Sequence, residues 1–394
     1  MRLSESTLPA VQDAIAAAGV DGWLLFDFRG TNPIAAELVG VEGLATRRIF
    51  AYVPRQGTPV GIGHAIEPGP WKHWPATWPR TIYSGWRALE ASLAQVVAGK
   101  TVAMEYAPGD GIPYVDRVPA GVIEMVRAAG ATVVTSGELI SRCYAGWSAE
   151  QLASHERAAE AIAAIAKAAF TRAATAARVG TPLREHELAA WIRERFDAEG
   201  LTTDHGPTVA IGAHAADPHY EPDEARALPI VEGSLLLIDL FAKDKQIGIW
   251  ADQTWMASLG TPADRVVTVW EAVRDARDAA VTLLATELAA GRRVSGGAAD
   301  HAARQVITDR GFGPYFTHRT GHSIDTRDIH GAGPNLDDLE SRDNRALVPG
   351  VAFSIEPGVY LTGDFGVRSE VNGFVKPGAL YVTPREPQRD LIIV

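Results

Sequence analysis

The chain has one cysteine, Cys143, among 394 residues. It can form no internal disulfide, so nothing in it points to an oxidising compartment. The surrounding SRCYAGW offers no context for a nucleophilic thiol, and Cys143 reads as a small packing residue. Basic residues are also scarce, with 37 Lys and Arg against 48 Asp and Glu and a net charge of −11. This gives no support to nucleic-acid binding, which needs a basic face, and argues against a polybasic contact with a membrane. No segment reaches the roughly 18 uninterrupted apolar residues of a membrane span. The Ala-rich stretch AAEAIAAIAKAAF is broken by Glu160 and Lys167. The opening MRLSESTLPAVQDAIAAAG carries acidic residues and no apolar run of signal length, so a cytoplasmic location is expected.

What is present is an ordinary globular composition, 46% hydrophobic and 22% charged, spread over more residues than one typical core holds. Residues 1–147 alternate helical and strand-like runs. LPAVQDAIAAAG, ALEASLAQVVAG and VDRVPAGVIEMVRAAG have helical spacing, whereas DGWLLFDF, TVAMEYA and ATVVTSG are short apolar runs. RIFAYVPRQGTPVGIGH reads as a hairpin around Gln56-Gly57. This is an α/β domain. From residue 148 the composition shifts. A helix of some thirty residues starts at an expected N-cap, Ser148, and closes at Gly180 and Pro182. A second helix, LREHELAAWIRERFDAEG, follows it. Strands, helices over 263–290 and 297–310, and further strands follow, an α+β pattern over residues 148–394. GPWKHWPATWPRTIYSGW, residues 69–86, holds four tryptophans, an aromatic flap or packing between the domains.

Carboxylates in apolar strands point to chemistry, because an unpaired charge there is costly. FSIEPGVYLTGDFGVRSEV, residues 353–371, reads as two strands joined by a Gly-rich turn, each carrying one glutamate, Glu356 or Glu370. SLLLIDLFAKDKQIGIWADQTW has the same design: Asp239 closes an apolar strand and Asp252 lies in the next. YFTHRTGHSIDTRDIHGAG supplies His318, His322 and His330. Four carboxylates and an imidazole converging on one place suit a pair of divalent cations, with Mn, Co or Zn as candidates. Carboxylates bridging such ions would hold them roughly 3.5–4 Å apart.

In that order these segments resemble the pita-bread metallopeptidase family, which includes proline dipeptidase, Xaa-Pro aminopeptidase and methionine aminopeptidase. LLLIDLFAKDKQIGIWADQT resembles its stretch with two aspartate ligands, HRTGHSI its His-x-x-Gly-His, SIEPGVY its Glu-Pro-Gly motif and GVRSEV its final Gly-x-Arg-x-Glu. The resemblance covers roughly residues 150–394. The first domain resembles that of the proline-specific members and creatinase in size and layout. The implied fold is α+β, a C-terminal pita-bread catalytic domain behind a smaller α/β creatinase-like domain. Phe241 departs from the pattern, standing where members usually have a small residue.

The resemblance implies a metal-ligand set of Asp239, Asp252, His322, Glu356 and Glu370 holding two divalent ions, Mn first. It implies hydrolysis of the bond preceding proline, in Xaa-Pro dipeptides ahead of longer peptides, with a small peptide as the partner. Glu356 is the implied proton acceptor and donor. His219 and His330 match histidines that contact substrate or stabilise the tetrahedral intermediate, and His318 one at the pocket wall. Arg345 resembles an arginine that binds a dipeptide's free carboxylate. Arg368 faces the same side of an extended strand as Glu370 and is expected to neutralise the acidic site or touch substrate. A homodimer is implied by the resemblance alone. A non-catalytic binding protein on the same fold is the outside alternative, and the intact ligand set speaks against it.

Overall fold

Trp23-Leu24-Leu25-Phe26 is buried along its whole length, as a strand covered on both faces must be. It forms the centre of the first of two units into which contacts divide the chain, one up to Ala145 and one from Gly146 to Val394. The computed structural model describes residues 2–43 and 45–394. Among these, the first unit runs α1 (Leu8–Ala17), β1 (Gly22–Asp27), α2 (Pro33–Val39), β2 (Ile49–Pro54), β3 (Val60–His64), β4 (Arg80–Tyr83), α3 (Trp86–Val97), β5 (Thr101–Met104), α4 (Ala120–Ala128), β6 (Thr132–Thr135) and α5 (Gly137–Cys143). The strands form one sheet in the order β4-β3-β2-β1-β5-β6. The hairpin expected around Gln56-Gly57 joins β2 to antiparallel β3. Helix α4 starts later than its apolar spacing suggested, at Ala120, with Pro119 as its N-cap. Val118 precedes that proline, whose ring disfavours helical geometry there.

The tryptophan-rich segment packs within the first unit rather than between the domains. Trp71, Trp74 and Trp78 are buried in edge-to-face contact, with ring centroids 5.3 and 5.0 Å apart. Trp71 lies over Gly61 and Gly63 of β3, where any Cβ would come within 2.6 and 2.4 Å of the indole. Two side-chain-free positions on one strand face make that shelf. Only the fourth indole, Trp86, is exposed. Cys143 is buried, and burial pushes its thiol up to about 11, which fits a packing role.

The second unit runs α6 (Ala149–Arg178), α7 (Glu185–Ala198), β7 (Leu201–Thr202), β8 (Thr208–Ile211), β9 (Leu235–Asp244), β10 (Trp250–Ser258), α8 (Asp264–Ala289), α9 (Gly296–Asp309), β11 (Ala352–Ile355), β12 (Gly358–Leu361), β13 (Phe365–Arg368), β14 (Val371–Lys376), β15 (Ala379–Thr383) and β16 (Ile392–Ile393). Trp147, assigned from sequence to the first domain, belongs here. Its backbone N–H donates to the Gly350 carbonyl at 2.9 Å and its indole to the Ile324 carbonyl at 3.1 Å. Ser148 caps α6 in a reciprocal pair with Gln151. The alanine stripe of α6 lets it lie close to the sheet, and Ala158, Ile162, Ala166 and Phe170 share a buried cluster with Leu236, Ile238 and Leu240 of β9.

Strand β9 is the spine of the site. It pairs antiparallel with β10 along one edge and with β8 and β7 along the other. It does not end at Asp239 but continues to Asp244, which places Asp239 mid-strand opposite Thr254. The segment read as two strands carrying glutamates is four short ones. β11 pairs with β14, and β12 pairs with β13. Glu356 lies in the break between β11 and β12, and Glu370 in the break between β13 and β14. Pro357 lacks the N–H needed to continue a ladder. Both glutamates therefore project from kinks. The Glu356 N–H donates instead to the Thr320 carbonyl at 2.7 Å.

Candidate metal and catalytic site

The breaks and strands converge on a cavity of about 710 Å³ in the second unit. Its walls include Asp239, Asp252, His318, His322, His330, His219, Glu356, Arg368 and Glu370. Each expected site residue except Arg345 thus faces one space. Asp252, His322 and Glu370 bring ligand atoms within 4.8 Å of one another, all three side chains buried. His322 Nε2 lies 3.3 Å from Asp252 Oδ2 and 3.4 Å from Glu356 Oε1.

Close backbone approach positions His322. Gly321 sits so near β11 that a Cβ would come within 2.0 Å of the Ser354 carbonyl oxygen. The neighbouring His322 N–H donates to Ser354 Oγ at 2.9 Å, and that hydroxyl donates to Glu356 Oε1 at 2.9 Å. His322 Nδ1 faces the Ser323 carbonyl at 3.1 Å. A carbonyl only accepts, so Nδ1 carries a proton and the Nε2 position points at the carboxylates, where burial is outweighed by Asp252 and Glu356, which raise its affinity for a proton. A lone pair among anions is repulsive unless a cation or a proton sits between them.

The carboxylates carry the same message. Glu370 Oε1 is buried without a hydrogen-bond partner among the described residues. Burial and the neighbouring Asp252, Glu356 and Asp239 raise the Glu370 carboxyl well above its ordinary range. Asp239 is pushed up to about 7 by burial, which outweighs the pull of Arg368. Burial also raises Asp252. Glu356 is pushed up by burial too, but His322, His318 and Arg368 outweigh this and hold it below its usual value. Four carboxylates this close cannot all ionise without added positive charge. The donor set, four carboxylates and one imidazole with its tautomer fixed, fits divalent cations.

Around the cluster, Arg368 is ion-paired to Asp239, and its Nε donates to Thr254 Oγ1 at 2.7 Å. That hydroxyl donates to Glu370 Oε2 at 2.9 Å. Arg368 Nη1 also reaches the Tyr360 hydroxyl at 3.3 Å, which meets His318 Nε2 at 2.7 Å. His318 Nδ1 donates to the Arg319 carbonyl at 2.7 Å, so Nε2 accepts from Tyr360. The His330 ring stands edge-on to His322 with centroids 4.2 Å apart. Burial, with His322 beside it, pushes His330 down to about 3, so it is neutral and keeps one N–H to donate.

Arg345 departs from expectation. It is buried, and its Nε and Nη2 grip Asp343 at 2.9 and 2.6 Å. Nη1 and Nη2 also donate to the carbonyls of Ala332 and Gly333 at 2.7 and 2.6 Å. Its donors brace the loop that follows His330, and it does not line the cavity. Sequence reasoning also passed over residues in and around the cavity. Thr254, which does not line the cavity but bonds Glu370 and Arg368 behind it, had a legible signal, since it lies two positions after Asp252 on the same strand face. Glu221, Glu340, His205 and Arg319 sit in irregular segments whose side-chain directions follow no period. Phe241, noted as unusual, shares the cavity-facing side of β9 with Asp239 and packs on His205 with ring centroids 4.8 Å apart.

A model of metallopeptidase family M24 matches residues 157–377. Over 188 residues the chain is 34% identical to a probable dipeptidase PepE of Mycobacterium tuberculosis, covering 47% of this chain and 46% of that protein. It is 32% identical over 170 residues to an Xaa-Pro dipeptidase of Lactobacillus delbrueckii subsp. lactis, covering 43% of this chain and 42% of that protein. The matched stretch thus spans about half the length of these curated relatives. Among solved structures, dipeptidase PepE from Mycobacterium ulcerans superposes with a TM-score of 0.74 at 24% identity, covering 100% of both chains. An Xaa-Pro dipeptidase from Bacillus anthracis gives 0.64 at 21% identity and 99% coverage of both. The fold is the pita-bread fold with its smaller companion domain. No described helix is long and apolar enough to cross a membrane.

Proposed function

The chain belongs to metallopeptidase family M24, and on that premise we propose that it hydrolyses the peptide bond preceding proline, using two divalent cations. Asp239, Asp252, His322, Glu356 and Glu370 would hold the metals. The oxygen-rich set suits Mn, with Co or Zn as alternatives. When bound, such ions lower the pKa of water and polarise the scissile carbonyl. The observation that carries this reading is the buried meeting of Asp252, His322 and Glu370, with one Glu370 oxygen lacking any partner among the described residues.

The chain's own residues supply the proton handling. Despite its burial, Glu356 is drawn to the ionised side by the fixed charge of Arg368 and by the Ser354 hydroxyl, which orients one of its oxygens. That suits a group that takes a proton from the attacking water and returns it to the leaving nitrogen. Neutral His330, together with His219, would donate hydrogen bonds to the oxyanion that forms at the carbonyl. Arg368 neutralises Asp239 and, through Tyr360, sets the lone pair of His318. His318 is left to shape the pocket wall.

Xaa-Pro dipeptides are the first substrate reading, supported by the similarity to an Xaa-Pro dipeptidase. Longer Xaa-Pro peptides are the second, favoured by the engagement of Arg345 with Asp343, which removes the expected reader of a dipeptide carboxylate. A homodimer in the cytoplasm is the proposed working form. The test is hydrolysis of Ala-Pro against Ala-Pro-Ala with Mn²⁺ and after EDTA. Cleavage of the dipeptide alone, lost on chelation, supports the first reading. Cleavage of the tripeptide moves the assignment to the second. Metal binding with neither cleavage overturns the proline specificity.

A further inference from the structure

Glu185, the first residue of α7, is fully buried, and its carboxylate is surrounded by donors from a single loop. Oε1 accepts from the Ile211 N–H at 2.9 Å. Oε2 accepts from the Tyr220 hydroxyl at 2.8 Å and from the Leu228 N–H at 2.8 Å. His214 Nδ1 lies 2.9 and 3.1 Å from the two oxygens and donates to them, since a carboxylate only accepts. The Glu185 N–H returns a bond to the Leu228 carbonyl at 3.1 Å. One side chain therefore fastens residues 211, 214, 220 and 228.

That loop is ordered by side chains: besides Glu185, Arg184 Nε and Nη2 donate to the Ala227 carbonyl at 3.1 and 2.6 Å and Arg226 Nη2 to the Glu221 carbonyl at 3.2 Å. Between the short 3-10 turn at Gly212–Ala216 and residue 228 the described residues form no strand or helix. It nonetheless presents Pro218, His219 and Glu221 to the cavity. Tyr220, between His219 and Glu221, is buried, with its hydroxyl on Glu185 and its ring stacked on His214 at 4.2 Å. The Thr208 hydroxyl, from β8, donates to the Tyr220 carbonyl at 3.0 Å. The turn itself lies against β13, where a Cβ on Gly366 would come within 1.8 Å of the Ala215 carbonyl oxygen. With Tyr220 pinned inward, the adjacent His219 is directed outward to the cavity.

We propose that Glu185 is a positioning residue for the reaction: with His214 and Tyr220 it clamps the 211–228 loop so that His219 is held at the cavity, and turnover depends on that clamp. The proposal rests on the role given to His219 above. A carboxylate is required because every neighbour is a donor. A glutamine would turn its NH₂ towards one of them and lose bonds at that oxygen.

The test pairs Glu185→Gln and Tyr220→Phe with His219→Ala in a double-mutant cycle on Ala-Pro hydrolysis by the Mn²⁺-loaded protein. Hydrogen exchange over residues 212–228 is followed in parallel. We expect faster exchange in that segment, unchanged Mn²⁺ content, and a fall in kcat of roughly tenfold to a hundredfold with KM moving far less. In the His219→Ala background neither substitution should cost more, because the group it positions is gone. Unchanged exchange, or losses that multiply with that of His219→Ala, would overturn the proposal. Tyr220→Phe removes one hydroxyl and carries the test if Glu185→Gln does not fold. If the wild-type protein cleaves no Xaa-Pro peptide, the functional reading falls, while exchange still judges the clamp.

Discussion

Arg368 is ion-paired to Asp239, 129 residues away in sequence, inside the wall of the acidic cavity. The pair ties β13 to β9 and supplies a fixed positive charge to a site built mainly of carboxylates. It also orients Thr254 and Tyr360, so one guanidinium organises both the acidic cluster and the His318 wall.

Removing that charge should hurt the metal-free protein most. For Arg368→Met we expect a loss of about 3–5 kcal/mol in stability after chelation, because Asp239 is left buried and unpaired. Saturating Mn²⁺ should recover much of it. Thermal unfolding with and without metal measures both. An equal loss in the two states would show that Arg368 acts through packing alone.

Metal binding should depend on pH with a definite sign. Asp239 titrates near 7 in the metal-free fold, and Glu370 lies well above the carboxylate range, so protons occupy the cluster at pH 6 more than at pH 8. Protons compete with cations for the same oxygens. The rise in Tm on adding Mn²⁺ should therefore be larger at pH 8 than at pH 6. A rise independent of pH would place the bound ion elsewhere.

Glu356→Gln should leave the fold intact while turnover falls by roughly 10²–10⁴, the usual worth of a positioned acid–base group. The readout is kcat at matched metal content, determined beside each assay. Near-normal turnover in a metal-loaded variant would remove Glu356 from the proton path.

Arg345→Met should behave as a structural lesion. Breaking a buried pair costs about 3–5 kcal/mol, since Asp343 stays behind uncompensated. KM for Ala-Pro and Ala-Pro-Ala should then shift in parallel. A selective rise for the dipeptide would restore Arg345 as a carboxylate reader.

His155 should make the second unit acid-sensitive. It is buried in α6, with Nδ1 on the Trp250 carbonyl at 2.8 Å and Nε2 on the Thr383 hydroxyl at 2.7 Å. Burial pushes it down to about 4, against 6.5 for an ordinary histidine. The unfolded chain thus takes up a proton between those values while the folded chain does not. Stability from this group is complete above pH 6.5 and lost as pH falls towards 4, by about 3 kcal/mol in all. Urea unfolding of wild type and His155→Gln across pH 4–7 should show their difference changing by that amount. Parallel curves would refute the assignment.

Much of this was legible in the chain itself. Carboxylates in apolar runs are costly without a counter-charge, so the sequence alone marks Asp239, Asp252, Glu356 and Glu370. The histidine segment and the order of the set pointed to one cavity, and the structure brings all five residues to it. Helix α6 was marked by its cap and its small-residue stripe, both local features. These signals survive because residue type, local period and burial cost act within a few positions of one another.

What the tertiary structure decided is who pairs with whom. Arg345 looked like a carboxylate reader, yet Asp343 and two loop carbonyls engage it. Glu185 carries no mark in the sequence, yet it gathers donors from residues up to 43 positions away. Glu356 and Glu370 looked like strand residues, yet they sit at the breaks between strands. A hydrogen bond is directional and short in range, so its partner is set by which segments meet in space. Local pattern could mark the costly residues of this chain, but only the packed fold shows what satisfies them.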